Sequence, residues 1–376
     1  MLRLLHCIYD DIGNPWVGGG GAHRVFEIYR RITDRVDATV ATGNYPGART
    51  ERVDGVQYLR LGAPRPYPWS RLTYARAASQ LLWREEYDAA IVDFSVYTPI
   101  RFPQARNIGL VVHMLHGPTA RDRFGAALGL IVRTVEKNAL RKARLVTTTS
   151  QWMKHQLAPL LTADARVEVI PAGAASEFSK VQRAERDYVL YYGRFDVFQK
   201  GIDTLLEAFC ALASEFPRLR LILAGKGKDL SVLQLMVAQR GLSERIEIRS
   251  DATRNEVLDL FAGALFLVAP SRLEGLPMVP AEAMAAGVPV ISTDVGAVSE
   301  VVSPPSGGML VPPNDPVALA NTMRTMLNDP AIRLSTSESA RVIARKFDWN
   351  TVARRHLEFL EAIAANGAAS RGRETS

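Results

Sequence analysis

The pattern of apolar and polar positions changes its period repeatedly along the first half of the chain. Short apolar runs alternate with stretches whose apolar residues recur at helical spacing. The runs are LLHCIY, ATVAT, AAIVDF and the segments 108–113 and 145–149. Strands that alternate with helices are typical of βαβ units, so the first half predicts a parallel sheet in an α/β fold.

The same alternation restarts after a charged stretch without periodicity, residues 179–187, which we interpret as a linker. The runs YVLYYG, LRLILAG, RIEIRS and LFLVAPS are each followed by a helical pattern. We therefore predict two α/β domains, at 1–180 and 181–350, which suits a chain of 376 residues. A polar tail, 367–376, follows the last helical pattern and is predicted to be disordered.

Composition places the chain among globular proteins, with 47% apolar and 23% charged residues. The N-terminal apolar run ends at Asp10 and Asp11 and lacks the features of a secretory signal, and no apolar run is long enough to span a bilayer. We therefore expect a cytoplasmic protein. Cys7 and Cys210 lie in separate apolar patterns, which favours buried thiols over a disulfide.

The net charge of +7 is concentrated in the first half of the chain. Residues 1–180 contain 24 Lys and Arg against 16 Asp and Glu, whereas the remainder contains 22 against 23. A basic first domain suits an anionic partner, either a phosphorylated acceptor or an acidic membrane surface. An ordinary solvated basic surface is the alternative. We expect no nucleic acid partner.

Two glutamates frame a predicted helix in the stretch EGLPMVPAEAMAAGVPVIST. The helix should begin near Pro277 or Pro280 and end at Gly287, with Glu274 before it and Glu282 on it. Its free amides and positive dipole end favour a diphosphate. A carboxylate accepts two hydroxyl hydrogen bonds, so Glu274 suits a sugar and Glu282 a ribose. A capping acid and a solvated helix residue are the alternatives. The predicted diphosphate segment is Gly275, Leu276, Pro277, Met278 and Val279.

Two cations follow the first strand of the second domain, in YYGRFDVFQKG. Arg194 and Lys200 directly precede a predicted helix, and ligands of open α/β sheets bind at the carboxyl ends of strands. The two cations can neutralise the charge that develops on a departing nucleoside diphosphate. A surface loop with ordinary charges is the alternative.

A glycine-rich loop, GNPWVGGGGAHRV, follows the first strand of the chain. Gly19 and Gly20 directly precede a predicted helix and let the backbone approach a phosphate or sugar closely. A dinucleotide fingerprint would look similar. However, the second strand ends at Thr42 and Gly43 and not at an acidic residue, which disfavours a dehydrogenase.

His116 follows the apolar run 108–113 and can donate a hydrogen bond to the donor sugar or the acceptor. A loop histidine with structural partners only is the alternative. We predict His113, inside that run, to be a packed core residue. The sequence has no D-x-D triplet, Walker A loop, G-x-S-x-G elbow or Cys/His cluster, so we expect no metal and no other cofactor.

The stretches GRFDVFQKG, LRLILAGKG and APSRLEGLPMVPAEAMAAGVPVIST resemble the second domain of the family-4 retaining glycosyltransferases, over nearly all of residues 185–365. The resemblance implies the GT-B fold, in which two Rossmann-like domains with parallel sheets face each other across a cleft. It also implies that a C-terminal helix, 351–366, crosses back to the first domain. The implied activity is retaining transfer of a hexose from a UDP or GDP sugar to a hydroxyl of a glycan, lipid-linked or small-molecule acceptor.

The resemblance also implies roles for individual residues. Arg194 and Lys200 would hold the diphosphate, while Glu274 would contact the sugar hydroxyls and Glu282 the ribose. His116 would match the family's active-site histidine. The glycines of the first loop that would lie on the phosphate or acceptor side are Gly19 and Gly20.

Two other interpretations stay open. One is another GT-B enzyme that uses a sugar nucleotide, such as a 2-epimerase, and the other is a non-catalytic sugar-nucleotide binding subunit. In addition, residues 119–146 combine apolar residues at helical spacing with seven Lys and Arg residues. Such a helix can lie on the anionic inner face of a membrane as a peripheral contact, and the alternative is a domain helix with one solvated basic face.

Overall fold

The structure is a computed structural model that describes residues 1–14, 19–65, 69–84, 86–103, 107–117, 120–275 and 277–374. The chain divides into two compact units. The first comprises Met1–Ala172 together with Trp349–Ser376, and the second comprises Gly173–Asp348. Each unit contains a largely parallel sheet, so the predicted α/β class is confirmed.

The strands of the first unit are β1 (Leu2–Cys7), β2 (Val36–Gly43), β3 (Glu51–Val53), β4 (Val56–Leu61), β5 (Ala89–Asp93), β6 (Ile108–Val112), β7 (Leu145–Thr148) and β8 (Arg166–Val169). In the described residues they form one sheet in the order β3-β4-β2-β1-β5-β6-β7-β8. The β3–β4 pair is antiparallel and the other pairs are parallel. The helices are α1 (Gly20–Tyr29), α2 (Trp69–Arg84), α3 (Ala120–Leu140) and α4 (Gln151–Leu157).

The central strands of this sheet are apolar without alternation, because parallel strands are covered on both faces. Every residue of β5 and β6 is buried. The strand order reverses between β1 and β5, and ligands of open α/β sheets bind where this reversal occurs. The polar residues that follow β1, β5 and β6 therefore lie at the edge where a site is expected.

The strands of the second unit are β9 (Tyr188–Tyr192), β10 (Arg220–Ala224), β11 (Ile246–Arg249), β12 (Leu267–Ala269), β13 (Val290–Thr293) and β14 (Gly308–Val311). They are ordered β11-β10-β9-β12-β13-β14, and all pairs are parallel. The helices are α5 (Val197–Lys200), α6 (Ile202–Leu212), α7 (Leu230–Gln239), α8 (Arg254–Gly263), α9 (Met278–Ala285), α10 (Val298–Val302), α11 (Pro316–Asn328) and α12 (Pro330–Ala344). The reversal of strand order here lies between β9 and β12.

The stretch 179–187 is not the free linker that its charge pattern suggested. Phe178 is fully buried in the core of the second unit and packs edge to face on Phe261, with ring centroids 4.8 Å apart. Arg183 donates to the carbonyl oxygens of Phe261 and Ala262 at the end of α8. The chain therefore joins the second unit before this stretch, because a buried aromatic side chain anchors it there.

The last helix, α13 (Trp349–Glu374), belongs to the first unit. Its apolar face covers β6, where Gly109 leaves room for Ile363 and Phe359. A Cβ atom at Gly109 would lie 2.6 Å from the Cδ1 atom of Ile363. The helix continues to Glu374, into the segment 367–376 that was predicted to be disordered. The alanines of this segment favour helix more strongly than its polar character suggested.

Candidate active site

The cations and carboxylates predicted in the second unit follow β9 and β12, the two strands at its reversal of strand order. The loops after β9, β10 and β12 are pressed together through their backbones. At Gly225, where φ is +149°, a Cβ atom would lie 1.8 Å from the carbonyl oxygen of Gly193. At Gly201, where φ is +61°, a Cβ atom would lie 2.0 Å from the carbonyl oxygen of Pro270. Glycine is thus required at both positions, and the loops form a rigid edge.

Lys200 and Glu274 are brought together at this edge. The Nζ atom of Lys200 donates to the Oε1 atom of Glu274 at 2.6 Å, and both side chains are largely shielded from solvent. The Ser271 hydroxyl donates to the same oxygen at 2.7 Å. The remaining oxygen of Glu274 has no partner among the described residues. A carboxylate held on one oxygen in this way presents the other to a ligand.

Arg194 lies on the same loop as Lys200 but is exposed. Its Nη2 atom is 3.4 Å from the Oε1 atom of Gln199, a long contact for a hydrogen bond. The backbone beneath it is fixed, because the hydroxyl of Tyr191 donates to the carbonyl oxygen of Arg194 at 2.8 Å. An exposed guanidinium on a fixed backbone suits an anionic ligand that arrives from solvent.

Arg272 is a site residue that the sequence analysis missed. Its guanidinium binds both carboxylate oxygens of Asp203, at 2.7 and 2.9 Å. It also donates to the carbonyl oxygen of Phe198 at 3.0 Å. Arg272 thereby ties the loop of Glu274 to the loop of Lys200. Its partner Asp203 lies far away in sequence, so no local pattern indicates the pair.

Helix α9 begins at Met278 after Pro277 and ends before Gly287, as the proline and glycine pattern predicted. Gly275, Pro277, Met278 and Val279 lie at its N-terminus, and Leu276 lies outside the described residues. Glu282 is on this helix. Burial raises its pKa to about 7, with the charge of Arg254 opposing the rise and that of Glu177 adding to it. The residue is partly buried, whereas the alternative interpretation expects a solvated helix residue.

In the first unit, the glycine loop faces two titratable residues. Gly19 caps α1, and its added Cβ atom would lie 3.1 Å from the Oδ2 atom of Asp10. A Cβ atom at Gly21 would lie 3.9 Å from the Nε2 atom of His113. Burial raises the pKa of Asp10 to about 6, while the charge of Arg71 opposes the rise. Asp10 was not predicted as a site residue, although it follows β1 in the loop at the carboxyl end of that strand, where a site residue is expected.

The prediction that His113 is a packed core residue was wrong. Strand β6 ends at Val112, so His113 is the first residue beyond it and its side chain is 30% exposed. Its Nε2 atom lies 2.7 Å from the Oδ1 atom of Asp93. His113 therefore takes part in the polar edge beside the glycine loop.

His116 lies two residues further along the loop. Its backbone amide and that of Gly117 each donate to the carboxylate of Glu136, at 2.8 Å. The His116 ring packs edge to face on Tyr97, with ring centroids 4.9 Å apart. Glu136 is buried on α3, and burial raises its pKa. The loop of His116 is thus held by a buried carboxyl group that the sequence analysis did not single out.

Two doubly wound, largely parallel sheets, with polar residues at each reversal of strand order, define an α/β protein of the Rossmann-like class. Family comparison narrows this class. The family model of the glycosyl transferases group 1 matches residues 174–343, and that of the glycosyl transferase 4-like domain matches residues 19–173. The chain belongs to the group 1 glycosyltransferases of the family-4 type, as the resemblance predicted.

The D-inositol 3-phosphate glycosyltransferase of Xylanimonas cellulosilytica is 28% identical over 316 residues, which are 80% of this chain and 74% of that protein. Sucrose-phosphate synthase from Thermosynechococcus elongatus has a TM-score of 0.81 at 21% identity, covering 97% of this chain and 100% of that chain. Alr3699/HepE of Anabaena with UDP and glucose has a TM-score of 0.73 at 19% identity, covering 96% and 100%. The likeness confirms the GT-B fold.

In the described residues, no group of three or more His, Cys, Asp or Glu side chains is placed to hold a metal ion. No helix within the same ranges is long and apolar enough to cross a membrane.

Proposed function

We propose that this glycosyltransferase moves a hexose from a UDP or GDP sugar to a hydroxyl acceptor with retention of anomeric configuration. The observation that carries the proposal is the Lys200–Glu274 pair, held at the reversal of strand order with Arg194 beside it. One cation and one polyol-binding carboxylate in contact match the two ends of a sugar diphosphate. The Anabaena protein of the same fold, whose structure contains UDP and glucose, supports this assignment.

On this proposal, the bound donor replaces contacts that the site residues otherwise make with each other. Lys200 turns from Glu274 to the diphosphate, and Arg194 joins it from solvent. Glu274 then accepts hydrogen bonds from the sugar hydroxyls. The amides of Met278 and Val279 at the first turn of α9 complete the anion site. These groups supply the charge stabilisation without a metal ion.

The roles of the remaining predicted residues follow the same division. Glu282, on the same helix, accepts hydrogen bonds from the ribose. Gly19 and Gly20 allow close approach of the donor phosphate or the acceptor to the first unit. For the histidine of the site there are two candidates, His116 as first predicted and His113, which lies beside the glycine loop together with Asp10.

The transfer step needs no covalent enzyme intermediate. The acceptor oxygen forms a bond to the anomeric carbon while the bond from that carbon to the diphosphate oxygen breaks. The acceptor proton passes to a phosphate oxygen of the leaving group on the same face. Glu274 orients the sugar in this scheme. Mass spectrometry of the enzyme during turnover should show no glycosyl adduct on Glu274, and trapping one would contradict the scheme.

Product analysis tests the proposal against its alternatives. Incubation with UDP-hexose and GDP-hexose should give a glycosylated product only when a hydroxyl acceptor is present, and the product anomer should match that of the donor. Conversion of the sugar nucleotide without acceptor would instead indicate a 2-epimerase. Binding of the nucleotide without turnover of any donor would indicate a binding subunit.

We further propose that one surface of the first unit contacts an anionic membrane. Helix α3 is interrupted at Gly125, where φ is +77°, so residues 119–146 are not one continuous helix. The α2–α3 surface consists of the exposed side chains of Trp69, Leu72, Trp83, Leu128, Leu130, Ile131 and Val135. Basic side chains, including Arg76, Arg84, Arg133 and Lys137, are exposed on the same two helices. Exposed apolar groups among cations suit an anionic lipid surface.

A further inference from the structure

A buried row of polar side chains runs from the last helix of the chain to His113. The Nε2 atom of His356, on α13, lies 3.3 Å from the hydroxyl of Tyr29 on α1. That hydroxyl lies 2.5 Å from the Nδ1 atom of His6 on β1. The Nε2 atom of His6 lies 2.7 Å from the Oδ2 atom of Asp93. Asp93 in turn contacts His113 through its other oxygen.

The carboxylate of Asp93 is the centre of this row. It is only 8% exposed, at the end of β5. Burial alone raises its pKa, but the contacts with His113 and His6 outweigh this and hold the pKa well below its usual range. Asp93 is therefore ionised. A buried carboxylate oxygen that lacks a donor is costly, so each of its two oxygens needs an N–H group.

The two oxygens of Asp93 are satisfied to different degrees. The contact with His6 has the geometry of a hydrogen bond, whereas the Oδ1 atom accepts no well-aligned hydrogen bond from the described residues. The Nε2 atom of His113, at 2.7 Å, is the donor within reach of it. An N–H group on this nitrogen satisfies the carboxylate after a small rotation of the ring.

We propose that Asp93 is the positioning residue for His113, fixing its ring in the tautomer that carries a proton on Nε2. This inference rests on the proposed role of His113 at the transferase site. A ring bound through Nε2 offers Nδ1 as its remaining hydrogen-bonding atom. The neutral ring can then accept a hydroxyl hydrogen bond at Nδ1, and its orientation no longer depends on solvent.

The residues beneath Asp93 are arranged to keep its orientation. Burial, and next the charge of Arg24, lower the pKa of His356, so that ring is neutral and can donate from Nε2 to Tyr29. The Tyr29 hydroxyl can then donate to Nδ1 of His6, which leaves the Nε2 proton of His6 for Asp93. Every hydrogen bond in the row thus points toward the carboxylate. Asp10 interacts electrostatically with His113 and Asp93, and Arg24 interacts with Asp93 and Tyr29.

The tautomers are measured directly by nitrogen-15 NMR of the full chain with labelled histidine. His113→Gln and His6→Gln variants assign the two rings. The wild-type spectrum is expected to show both rings protonated at Nε2. A neutral His113 ring protonated at Nδ1 instead would overturn the proposal. This readout requires no acceptor and no turnover.

Asp93→Asn replaces an acceptor oxygen by an amide donor, so one ring is expected to change to the Nδ1–H tautomer. The kcat of transfer is expected to fall at least about 10-fold, because a misplaced positioning group can cost about 10²-fold in rate. The KM for the donor should change little, since the donor groups lie in the second unit. Asp88→Asn is the matched control, because Asp88 lies just before the same strand and accepts only from the amide of Arg3 among its described contacts.

Combining Asp93→Asn with His113→Gln distinguishes a positioning role of Asp93 from a purely structural one. If Asp93 acts through His113, adding Asp93→Asn to His113→Gln should lower kcat by less than about 2-fold further. A second loss as large as the first would assign Asp93 a structural role and overturn the proposal. If the His113→Gln variant has the kcat of wild type, His113 has no role in the proposed function. The tautomer spectrum then still tests whether Asp93 positions the His113 ring.

Discussion

The two units of the chain hold their polar site residues in place by different means. In the second unit, Lys200 and Arg194 stand on loops whose backbones are locked by glycines. In the first unit, His113 depends on a buried row of side chains through Asp93 and His6. On the proposed function, a fixed backbone is sufficient for cations that meet an anionic ligand. A group that must keep one tautomer needs buried side-chain partners instead.

The largest expected effect comes from breaking the backbone lock of the second unit. In Gly201→Ala the new Cβ atom would lie 2.0 Å from a backbone oxygen, at a positive φ. We expect a loss of roughly 3 kcal/mol or more in the free energy of unfolding, measured with urea. Gly241→Ala is the matched control, since φ is +64° there but nothing lies within 4 Å of the Cβ position. It should lose only about 1 kcal/mol, and equal losses would contradict the lock.

The next effect distinguishes the two histidines of the first unit. We expect His113→Gln to lower kcat by roughly 10²-fold, the cost expected when a group that positions the reactants is lost. His116→Gln should cost less, because the backbone of its loop, and not its ring, is what Glu136 holds. Steady-state kinetics with a saturating donor measure both. A larger loss for His116→Gln would return the role to the residue first predicted.

A smaller effect concerns Glu282 and pH. Burial raises the pKa of Glu282 from 4.5 in the unfolded chain to about 7 in the folded one. The folded state then binds more protons in this window, so stability falls as pH rises from about 4.5 to about 7. Glu282→Gln should flatten this dependence and gain roughly 2 kcal/mol at pH 8 in urea unfolding. The exposed Glu244→Gln should leave the profile unchanged, and a flat wild-type profile would contradict the buried carboxyl group.

At the same time, the ribose role of Glu282 predicts the opposite trend for binding. A carboxylate accepts two hydroxyl hydrogen bonds, so nucleotide affinity should rise as Glu282 ionises. Glu282→Gln should therefore bind nucleotide more weakly at pH 8 although it is more stable. A parallel gain in both would remove Glu282 from the ribose site.

The smallest effect concerns the α2–α3 surface. Replacing Leu130 and Ile131 together by Ser should lower partitioning onto anionic liposomes about 10-fold at low salt, because two exposed apolar side chains are lost. Sedimentation measures the bound fraction. The matched control is Leu334→Ser on α12 of the second unit, where an equally exposed leucine is removed. If wild type fails to sediment with these liposomes, membrane contact is excluded under these conditions.

Local patterns predicted most of the second unit. A strand, a loop cation and a following glycine occur within a few residues around Lys200, and the prolines and Gly287 bounded α9 correctly. Such features depend on neighbours in sequence, which a pattern records. The same reasoning supplied the α/β class, whereas the family was predicted from the resemblance of the motifs to known glycosyltransferases.

Contacts between distant residues were not predictable in this way. His6 lies in β1, Asp93 ends β5 and His113 follows β6. The end of β6 at Val112 alone decides whether His113 is a core residue or a site residue. Arg272 and Asp203 meet across the second unit in the same manner. Periodicity in the sequence does not indicate which strands become neighbours in the sheet. These contacts between distant residues were therefore identified only from the structure.

The central claim is that the second unit binds a nucleoside diphosphate through Lys200. The most direct test is calorimetric titration of UDP, GDP and ADP into wild type, Lys200→Ala and the exposed control Lys180→Ala, without added metal. The account predicts that one nucleotide binds wild type and Lys180→Ala equally, and that Lys200→Ala weakens this binding by about 1.5 to 3 kcal/mol. If none of the three binds wild type, or if Lys200→Ala binds as tightly as wild type, the claim is contradicted.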